Sequence, residues 1–278
     1  MSNQWVLESF MTRKINRSDK DIRTYLREQG IEWLRNSLNA DIYIYKQFSG
    51  NSIGRLITNC MIAREKKKRN YIDIISEPRE IAPYAYFFAK PSRTITCAPG
   101  KEFNNRFYFP SDWHEPKLEG WHKRKNKFVF IGRPIHDRIK AIKELINLGL
   151  EVDIFSKEKW DLPGWKGYCK SELETSRKYK YRLAFENSHK HKYHSDKLFN
   201  GIRAGNITFY SSDPLLDLPF AKGIYVPFSA QNVLSYFEDK NKSENTLENI
   251  SSFMFTDSWE VYSFKNFFDT LLRVIKTP

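Results

Sequence analysis

The stretch "KFVFIGRPIHDRIKAIKELINLGLEVDIFS", residues 127–156, decides the fold class. Lys127–Gly132 and Leu150–Ser156 are short apolar runs typical of buried strands. The segment between them, Asp137–Gly149, is typical of an amphipathic helix. Its apolar residues recur at helical spacing, namely Ile139, Ile142, Leu145 and Ile146, and Gly149 stands where a helix commonly ends. A strand, a helix and a strand in this order predict a βαβ unit with parallel strands.

A second unit of the same kind follows. "YRLAF" (181–185) and "NITFYS" (206–211) are predicted strands, and "SDKLFNGIRAG" (195–205) is a predicted short helix. Ser195 is expected to be the N-cap of this helix, and Gly205 is expected to end it. Two adjacent units predict a doubly wound, nucleotide-binding α/β domain, to which "KGIYVPF" (222–228) adds a further strand.

The rest of the chain is also read as α/β. The predicted elements are a helix over Asp21–Leu38, which Gly30 could break in two, a strand over Ala40–Phe48, a helix over Ile53–Arg69, and strands over Asn70–Pro78 and Thr94–Gly100. An aromatic, basic segment, residues 104–126, is read as a connector, and "WEVYSFKNFFDTLLRVIK" as a closing amphipathic helix. We therefore expect an N-terminal α/β domain at residues 1–120, a nucleotide-binding domain at 121–255 and a closing helix at 256–278.

Charge and cysteine content narrow the class of protein. The 278 residues carry a net charge of +13, which favours an anionic partner such as a phosphorylated substrate, an anionic membrane surface or nucleic acid. Cys60, Cys97 and Cys169 form no CxxC pair, so neither a disulfide scaffold nor a cysteine-rich zinc site is expected. No apolar run reaches the roughly 20 residues that cross a bilayer, and the first residues lack a signal-peptide layout. The expected location is the cytoplasm.

The loop between the two strands of the second unit is rich in ionisable groups. It leaves the carboxyl end of a predicted parallel strand and enters a helix N-terminus, where backbone N–H groups favour a phosphate. Arg138 has the corresponding position in the first unit, so Arg138 and Lys197 are expected to hold one diphosphate. No GxGxxG motif and no GxxxxGK[ST] motif is present, which disfavours dinucleotide oxidoreductases and P-loop NTPases.

The residues of this region resemble a known family. "YRLAFENS" followed by "KYHSDKLFNGIRAGNITFYSSDP" resembles the signature of the α-1,3/4-fucosyltransferases, glycosyltransferase family 10, of the bacterial type. Two departures stand out: Asp196 replaces a glutamate, and the run from Lys192 to Ser195 replaces Asp-Tyr-Val-Thr. "HDRIKAIKEL" places Arg138 on the family's nucleotide-binding arginine, and "YIDIISEP" resembles the strand that ends at the catalytic glutamate, here Glu77. The resemblance covers residues 128–228 and is negligible before Asn70.

The resemblance implies a GT-B enzyme, in which two Rossmann-like domains face each other across a cleft. It implies inverting transfer of fucose from GDP-fucose to a hydroxyl of a glycan acceptor, without a cofactor or a metal ion in the chemistry. Glu77 would be the general base, and Glu186 would oppose positive charge on the sugar or contact the sugar. The resemblance implies that the nucleotide sugar is bound by five residues, namely Arg138, Asn187, Tyr193, Asp196 and Lys197.

Other interpretations stay open from the sequence alone. Glu77, Arg138, Glu186 and Lys197 are also ordinary residues for strand ends and helix surfaces. His189, His191 and His194 invite a metal site, which the neighbouring lysines disfavour. The basic runs "REKKKR" and "HKRKNK" lack a nucleic-acid recognition motif, so an anionic membrane at the inner face and a lipid-linked acceptor of the lipopolysaccharide or capsule type are preferred. A transferase for another nucleotide sugar and a non-catalytic polyanion-binding protein remain the alternatives.

Overall fold

The computed structural model describes residues 3–7, 28–29, 31–34, 42–46, 53–66, 71–75, 77, 79–98, 103, 106, 118–190, 192–214, 218, 223–253 and 264–276. The strands are β1 Asn3–Leu7, β2 Ile31–Leu34, β3 Ile42–Lys46, β4 Tyr71–Ile75, β5 Thr94–Thr96, β6 Lys125–Ile131, β7 Val152–Phe155, β8 Tyr179–Phe185, β9 Ile207–Ser211 and β10 Val226–Pro227. The helices are α1 Ile53–Lys66, α2 Pro83–Phe88, α3 His136–Asn147, α4 Glu172–Ser176, α5 Lys197–Arg203, α6 Ala230–Glu238, α7 Lys240–Phe253 and α8 Phe264–Lys276.

The strands form two separate sheets of five parallel strands each. The first sheet has the order β2-β1-β3-β4-β5 and the second has the order β10-β9-β8-β6-β7. Every strand pair in both sheets is parallel. The predicted α/β class with two Rossmann-like domains is therefore confirmed. The domain boundaries at residues 120 and 255 stay a prediction.

The second sheet forms because its strands bury apolar side chains on both faces. On one face, the central strands β6, β8 and β9 contribute Phe128, Phe130, Leu183, Ile207 and Phe209, each at most 2% exposed. Helix α3 packs Ile142 and Leu145 against this layer, which is the face that the helical spacing predicted. On the other face of the sheet, the alternate residues of β8 and β9 pack against α5. Fully buried parallel strands read as continuous apolar runs, which is why the sequence located them so clearly.

The ends of the two predicted helices agree in part with expectation. Gly149 and Gly205 follow α3 and α5 with φ angles of +80° and +70°, so both are helix-ending glycines as predicted. Ser195 is not the N-cap of α5, which is Asp196 without a side-chain capping bond. The helix begins one residue later than predicted: the Ser195 hydroxyl donates to Glu186, and its oxygen accepts a long bond of 3.4 Å from the Lys197 backbone N–H.

Part of one predicted helix is a strand. Of the expected helix over Asp21–Leu38, the described residues are 28–29, where residue 28 is helical, and 31–34, which form β2 and pair with β1 in the first sheet. Residues 31–34 alternate side chains that suit either structure, and pairing in the sheet decides between them. The sequence also gave no prediction for α6 and α7, which cover part of the second sheet.

The last helix returns to the first sheet. Helix α8 packs against β4 and β5, and its Phe267, Leu271 and Val274 are buried. The closing helix was predicted, but its contact with the first sheet was not. Among the described residues, no helix has the length and apolar character needed to cross a membrane.

Candidate functional site

The candidate site lies at the carboxyl edge of the second sheet. Strand β6 has β7 on one side and β8 on the other, so the chain changes direction across the sheet at β6. The loops that leave β6 and β8 therefore separate and open a crevice at their carboxyl ends, which is where doubly wound sheets bind ligands. Arg138 follows β6, and Glu186 follows β8.

Arg138 lies in the first turn of α3 and is buried. One guanidinium nitrogen donates hydrogen bonds to the Phe185 carbonyl oxygen, at 3.0 Å, and to Asn187 Oδ1, at 2.7 Å. Gly132 leaves room for this arrangement, because a Cβ there would lie 2.8 Å from the Phe130 ring and 3.5 Å from an Arg138 nitrogen. Burial lowers the pKa of Arg138, yet a guanidinium stays charged in a protein. A fixed cation therefore stands at the crevice.

Glu186 is surrounded by hydrogen-bond donors. Its side chain is fully buried, and its carboxylate accepts bonds from the Ser195 backbone N–H at 2.9 Å and from the Ser195 hydroxyl at 2.7 and 2.9 Å. Tyr210 donates at 2.8 Å and Lys197 Nζ at 3.0 Å. A buried carboxylate needs such partners, because an unpaired one would be very costly. This set of contacts ties the loop after β8 to the start of α5 and to β9.

The donors also fix the ionisation of Glu186. Burial by itself raises the pKa of a carboxyl, but the Lys197 ammonium and the Ser195 hydrogen bonds outweigh burial and hold the pKa of Glu186 below its ordinary value. Glu186 is therefore a carboxylate at neutral pH. Lys197 Nζ is directed at this carboxylate and at the Ser195 hydroxyl, 2.8 Å away.

His194 extends the network to a second layer. Its Nδ1 lies 2.8 Å from the Tyr210 hydroxyl. The Tyr210 hydroxyl donates its only proton to the Glu186 carboxylate, so the Tyr210 oxygen accepts a hydrogen bond from His194. His194 therefore carries its proton on Nδ1. Burial lowers the pKa of His194 to about 3, so the ring is neutral at neutral pH. His194 is thus part of the hydrogen-bonded frame around Glu186.

The first domain reaches the crevice through the loop after β4. Glu77 Oε2 accepts a hydrogen bond from the Tyr193 hydroxyl at 3.2 Å and lies 3.5 Å from Asn187 Nδ2. Glu80, which is exposed, accepts from the Ser188 hydroxyl. Strand β4 and strand β8 lie in different sheets, so these contacts join the carboxyl edges of both sheets. The predicted cleft between two facing domains is confirmed.

Tyr193 lies between the two carboxylates. Its side chain is buried, and burial together with the negative charges of Glu186 and Glu77 raises its pKa, so the phenol keeps its proton. The Tyr86 hydroxyl donates to the Glu77 backbone carbonyl at 3.2 Å, which holds the loop of the first domain in place. Glu77 itself is half-buried and retains access to solvent.

A cavity of about 360 Å³ opens between these groups. Its lining comes mainly from the start of α3, the end of β8 with the loop that follows it, and the first domain: Asp137, Arg138, Phe185, Glu186, Asn187, Ser188, His189, Lys190 and Glu80. Phe228, which follows β10, also lines it. Of the seven predicted site residues, Arg138, Glu186 and Asn187 line this cavity. Glu77 lies beside the cavity through its contact with Asn187, and Tyr193 lies next to Glu77, to which its hydroxyl donates.

Lys197 and Asp196 do not line the cavity. Lys197 belongs to the Glu186 network, and Asp196 precedes α5 with its side chain half-buried. The joint grip of Arg138 and Lys197 on one diphosphate is therefore not formed in this structure and stays a prediction. The same holds for the catalytic and binding roles assigned to the other site residues.

The histidines do not form a metal site in the described part of the chain. His189 lies 3.3 Å from the Ser211 hydroxyl, and His194 belongs to the Glu186 frame. His191 lies outside the described residues. Among those that the structure describes, no group of three histidine, cysteine or acidic side chains could hold a metal ion.

Three functional groups were missed from the sequence. Ser188 and Tyr210 were quoted within the motifs but received no role, and Glu80 lies outside every motif that was quoted. Glu80 follows Glu77 by three residues in the same loop, a spacing that could have marked it as a second carboxylate at the cleft. Tyr210 gave no such signal, because its contact with Glu186 depends on the pairing of β8 with β9.

The comparisons with known proteins agree with this geometry. Residues 122–209 match the family model described as glycosyltransferase family 10 (fucosyltransferase), C-terminal part. This range contains the crevice residues of the second domain, and the match confirms both the resemblance seen in the sequence and the enzyme class, a glycosyltransferase. No curated protein matches the chain in sequence.

Solved structures extend the likeness to the whole fold. The crystal structure of an alpha1,3-fucosyltransferase with GDP has a TM-score of 0.59 at 13% identity, over 99% of this chain and 91% of that chain. The crystal structure of an alpha1,3-fucosyltransferase with GDP-fucose gives the same values. At this identity the likeness establishes the GT-B fold.

Proposed function

We propose that this chain, whose residues 122–209 form a glycosyltransferase family 10 domain, transfers fucose from GDP-fucose to a hydroxyl group of a glycan acceptor with inversion at the anomeric carbon. One observation carries the proposal. The half-buried carboxylate Glu77 of the first domain meets Asn187 and Tyr193 of the second domain beside the cavity that contains Arg138. A base and an anion-binding cation on opposite walls of one cleft are what a transfer between two bound substrates needs.

The donor is assigned to the second domain. Arg138 stands in the first turn of α3, where the helix N-terminus adds positive potential, and both favour a diphosphate. Two of the structures with this fold contain GDP or GDP-fucose, which supports a guanine nucleotide as the donor. In this proposal Asn187 and Tyr193 contact the sugar or the phosphates, and Asp196 accepts hydrogen bonds from ribose hydroxyls.

The transfer step follows from the position of Glu77. Its carboxylate takes the proton from the acceptor hydroxyl while the hydroxyl oxygen bonds to the anomeric carbon. The bond between that carbon and the departing phosphate oxygen breaks at the same time, and GDP leaves with the bonding electron pair. Attack from the face opposite the leaving group inverts the anomeric centre. Glu77 would exchange its bond to Tyr193 for one to the acceptor.

The remaining charged residues stabilise the departing GDP and the oxocarbenium-like sugar. Arg138 offsets the negative charge that develops on GDP, as preorganised cations do at such sites. Lys197 would add to this effect if donor binding drew its ammonium away from Glu186. The Glu186 carboxylate would then oppose the positive charge on the sugar, which is oxocarbenium-like as it passes between donor and acceptor.

The acceptor side and the location are part of the proposal. We assign a surface glycan of the lipopolysaccharide or capsule type as the acceptor, linked to a lipid, and place the enzyme in the cytoplasm at the inner membrane face. The net charge of +13 favours such a surface. The chemistry as written uses only protein carboxylates and cations, so no metal ion is assigned to it.

Calorimetry against GDP, UDP, CMP and GDP-fucose, each with and without EDTA, tests the donor assignment. The expected result is binding of GDP and GDP-fucose alone, unchanged by EDTA. Hydrolysis of GDP-fucose in the absence of acceptor then tests the catalytic step. Binding of UDP or CMP in preference to GDP would replace fucose by another sugar, which is the second enzyme candidate.

A non-catalytic function has its own signature. A protein that only binds polyanions would lose its ligand when basic surface residues are changed, and the change Glu77→Gln would leave every measured property intact. GDP-fucose turnover that persists in the Glu77→Gln protein at the wild-type rate would remove the proposed base.

A further inference from the structure

Helix α1 presents an apolar stripe to solvent. Ile53 is 76% exposed, Ile57 54% and Met61 66%, and Cys60 and Arg64 are exposed as well. These five positions recur at helical spacing and share one side of the helix. We call them the α1 stripe. Contiguous apolar surface of this kind on a soluble domain marks an interaction site.

The opposite side of α1 attaches the helix to the first domain. Lys66 is buried and pairs with Asp73 of β4 at 2.5 Å. Leu56 and Ala63 are half-buried on the flank between Lys66 and the stripe, and α1 packs against α2. The fold is therefore held by one face of the helix, and the apolar residues of the α1 stripe are not used for packing.

Charge at the end of the helix indicates what the stripe contacts. Arg64 is exposed in the last turn of α1, and the sequence continues as Lys67, Lys68 and Arg69. Apolar side chains on one helix face with cations beside them are the pattern of helices that lie in the interface of an anionic bilayer. The net charge of +13 adds a long-range attraction to the same surface.

The location of α1 links the stripe to the candidate site. The helix connects β3 to β4, which are parallel neighbours, so its N-terminus with Ile53 lies at the carboxyl edge of the first sheet. The loop with Glu77 leaves the same edge. A bilayer that contacts α1 along its length would therefore reach the rim of the cleft.

We propose that the α1 stripe docks onto an anionic lipid bilayer, with Ile53, Ile57 and Met61 in the headgroup region and the basic end of the helix against lipid phosphates. This docking goes beyond the transfer reaction and requires neither the donor nor a particular acceptor. It identifies the membrane-facing side of the first domain.

Partition onto vesicles tests the proposal. Wild-type protein is sedimented with vesicles of phosphatidylcholine and with vesicles that contain phosphatidylglycerol as well. The double variant Ile57→Glu/Met61→Glu should bind the anionic vesicles roughly tenfold more weakly or worse, because two apolar anchors are lost and two negative charges are added. Tyr168→Glu is the matched control, since Tyr168 is 61% exposed and lies outside α1.

The exposed Cys60 allows a direct readout. Cys97 is buried with a raised thiol pKa, so after the change Cys169→Ser a thiol reagent labels Cys60 selectively. A polarity-sensitive dye at Cys60 should shift its emission on anionic vesicles and stay unshifted on phosphatidylcholine alone. The same dye at Tyr168→Cys, in a protein without Cys60, should not shift.

Three outcomes would overturn the proposal. One is that the wild type and the double variant bind anionic vesicles equally and have the same melting temperature. Another is an unshifted dye on anionic vesicles. The third is a double variant that converts an oligomer into a monomer while its vesicle binding is retained, which would assign the stripe to contact between copies of this chain. None of these measurements involves GDP or turnover, so they fail or succeed separately from the proposed reaction.

Discussion

The loop after β8 and the loop after β4 both end at the cleft, yet they hold their glutamates in opposite ways. Glu186 is fully buried and accepts hydrogen bonds from Ser195, Tyr210 and Lys197. Glu77 is half-buried, and its carboxylate has a bond from Tyr193 and a longer contact with Asn187. The first carboxylate is fixed by a frame, whereas the second one is held lightly.

The difference separates a positioning group from a reacting group. A general base must exchange partners during the reaction, and a carboxylate with few bonds at a solvent-accessible edge can do so. A buried carboxylate whose oxygens both accept hydrogen bonds chiefly holds its donors in position. Glu186 holds the start of α5 and β9 in this way. Substitutions at the cleft test this contrast. The expected effects decrease from Glu77, the proposed base, to Glu80, whose contact with Ser188 is the weakest.

The largest effect is expected for Glu77→Gln. Loss of the proposed base should reduce turnover of GDP-fucose with acceptor by about 10² to 10⁴ while GDP affinity stays near the wild-type value. Steady-state kinetics and calorimetry on the same preparation measure both quantities. Glu80→Gln is the matched control, because Glu80 belongs to the same loop. A comparable loss of turnover in the control alone would transfer the role of the base to Glu80.

Glu186→Gln should chiefly affect stability. The amide leaves Lys197 without its carboxylate and turns an NH₂ group toward donors, so the free energy of unfolding should fall by about 3 kcal/mol. Urea denaturation followed by tryptophan fluorescence measures the change. The exposed Glu80→Gln protein should unfold at the wild-type urea concentration. Equal midpoints for all three proteins would contradict the frame that we describe.

Arg138→Ala should weaken GDP binding roughly ten- to a hundredfold, since a guanidinium bonded to a phosphate contributes about 1.5–3 kcal/mol. Lys140→Ala on the same helix removes the same charge from an exposed position and should bind GDP normally. Calorimetry compares the two variants. If both lose the same small amount of affinity, the effect is one of overall charge, and Arg138 is not at the donor site.

The pH dependence of stability should report His194. Its pKa is about 3 in the folded chain and about 6.5 when exposed, so between these values the unfolded chain binds a proton that the folded chain does not. Stability should therefore be constant above pH 6.5 and fall as the pH drops below it, by up to roughly 1.4 kcal/mol per pH unit.

His194→Asn separates this effect from other titrations, because an amide N–H can still donate to Tyr210 but does not titrate. Urea midpoints at pH 7, 6 and 5 should fall for the wild type and much less for the variant. Parallel loss in both proteins would assign the titration to other groups. Glu186 contributes at lower pH, since its lowered pKa means that its stabilisation is present above the ordinary carboxyl value and is lost below it.

The smallest effect is expected for Glu80→Ala. The contact joins the exposed Glu80 of the first domain to the buried Ser188 of the second, and a carboxylate that solvent reaches contributes less than about 1 kcal/mol through such a contact. Limited proteolysis near residues 186–192 and urea denaturation should detect little change. A loss larger than that of Glu186→Gln would show that the lightly held side of the cleft, rather than the buried frame, keeps the domains together.

Much of the second domain was predictable. The apolar runs of β6, β8 and β9 and the spacing of α3 predicted the sheet, helices α3 and α5, and the crevice between Arg138 and Glu186, but not α4, α6 and α7. The first domain was harder to predict, since residues 31–34 form β2 within a segment predicted as helix. In short segments the choice between strand and helix depends on pairing with a distant strand, which local residues do not reveal.

The sequence by itself determined the fold class, the two loops that carry the ionisable groups and the likeness to family 10 glycosyltransferases. Those features follow from periodicity and from residues that are close along the chain. Only the tertiary structure decided which groups meet, because Glu77 and Tyr193 lie 116 positions apart and Glu186 and Tyr210 lie on different strands. The tertiary structure also decided that Lys197 pairs with Glu186, because a buried carboxylate is stable only with a cation or hydrogen-bond donors beside it.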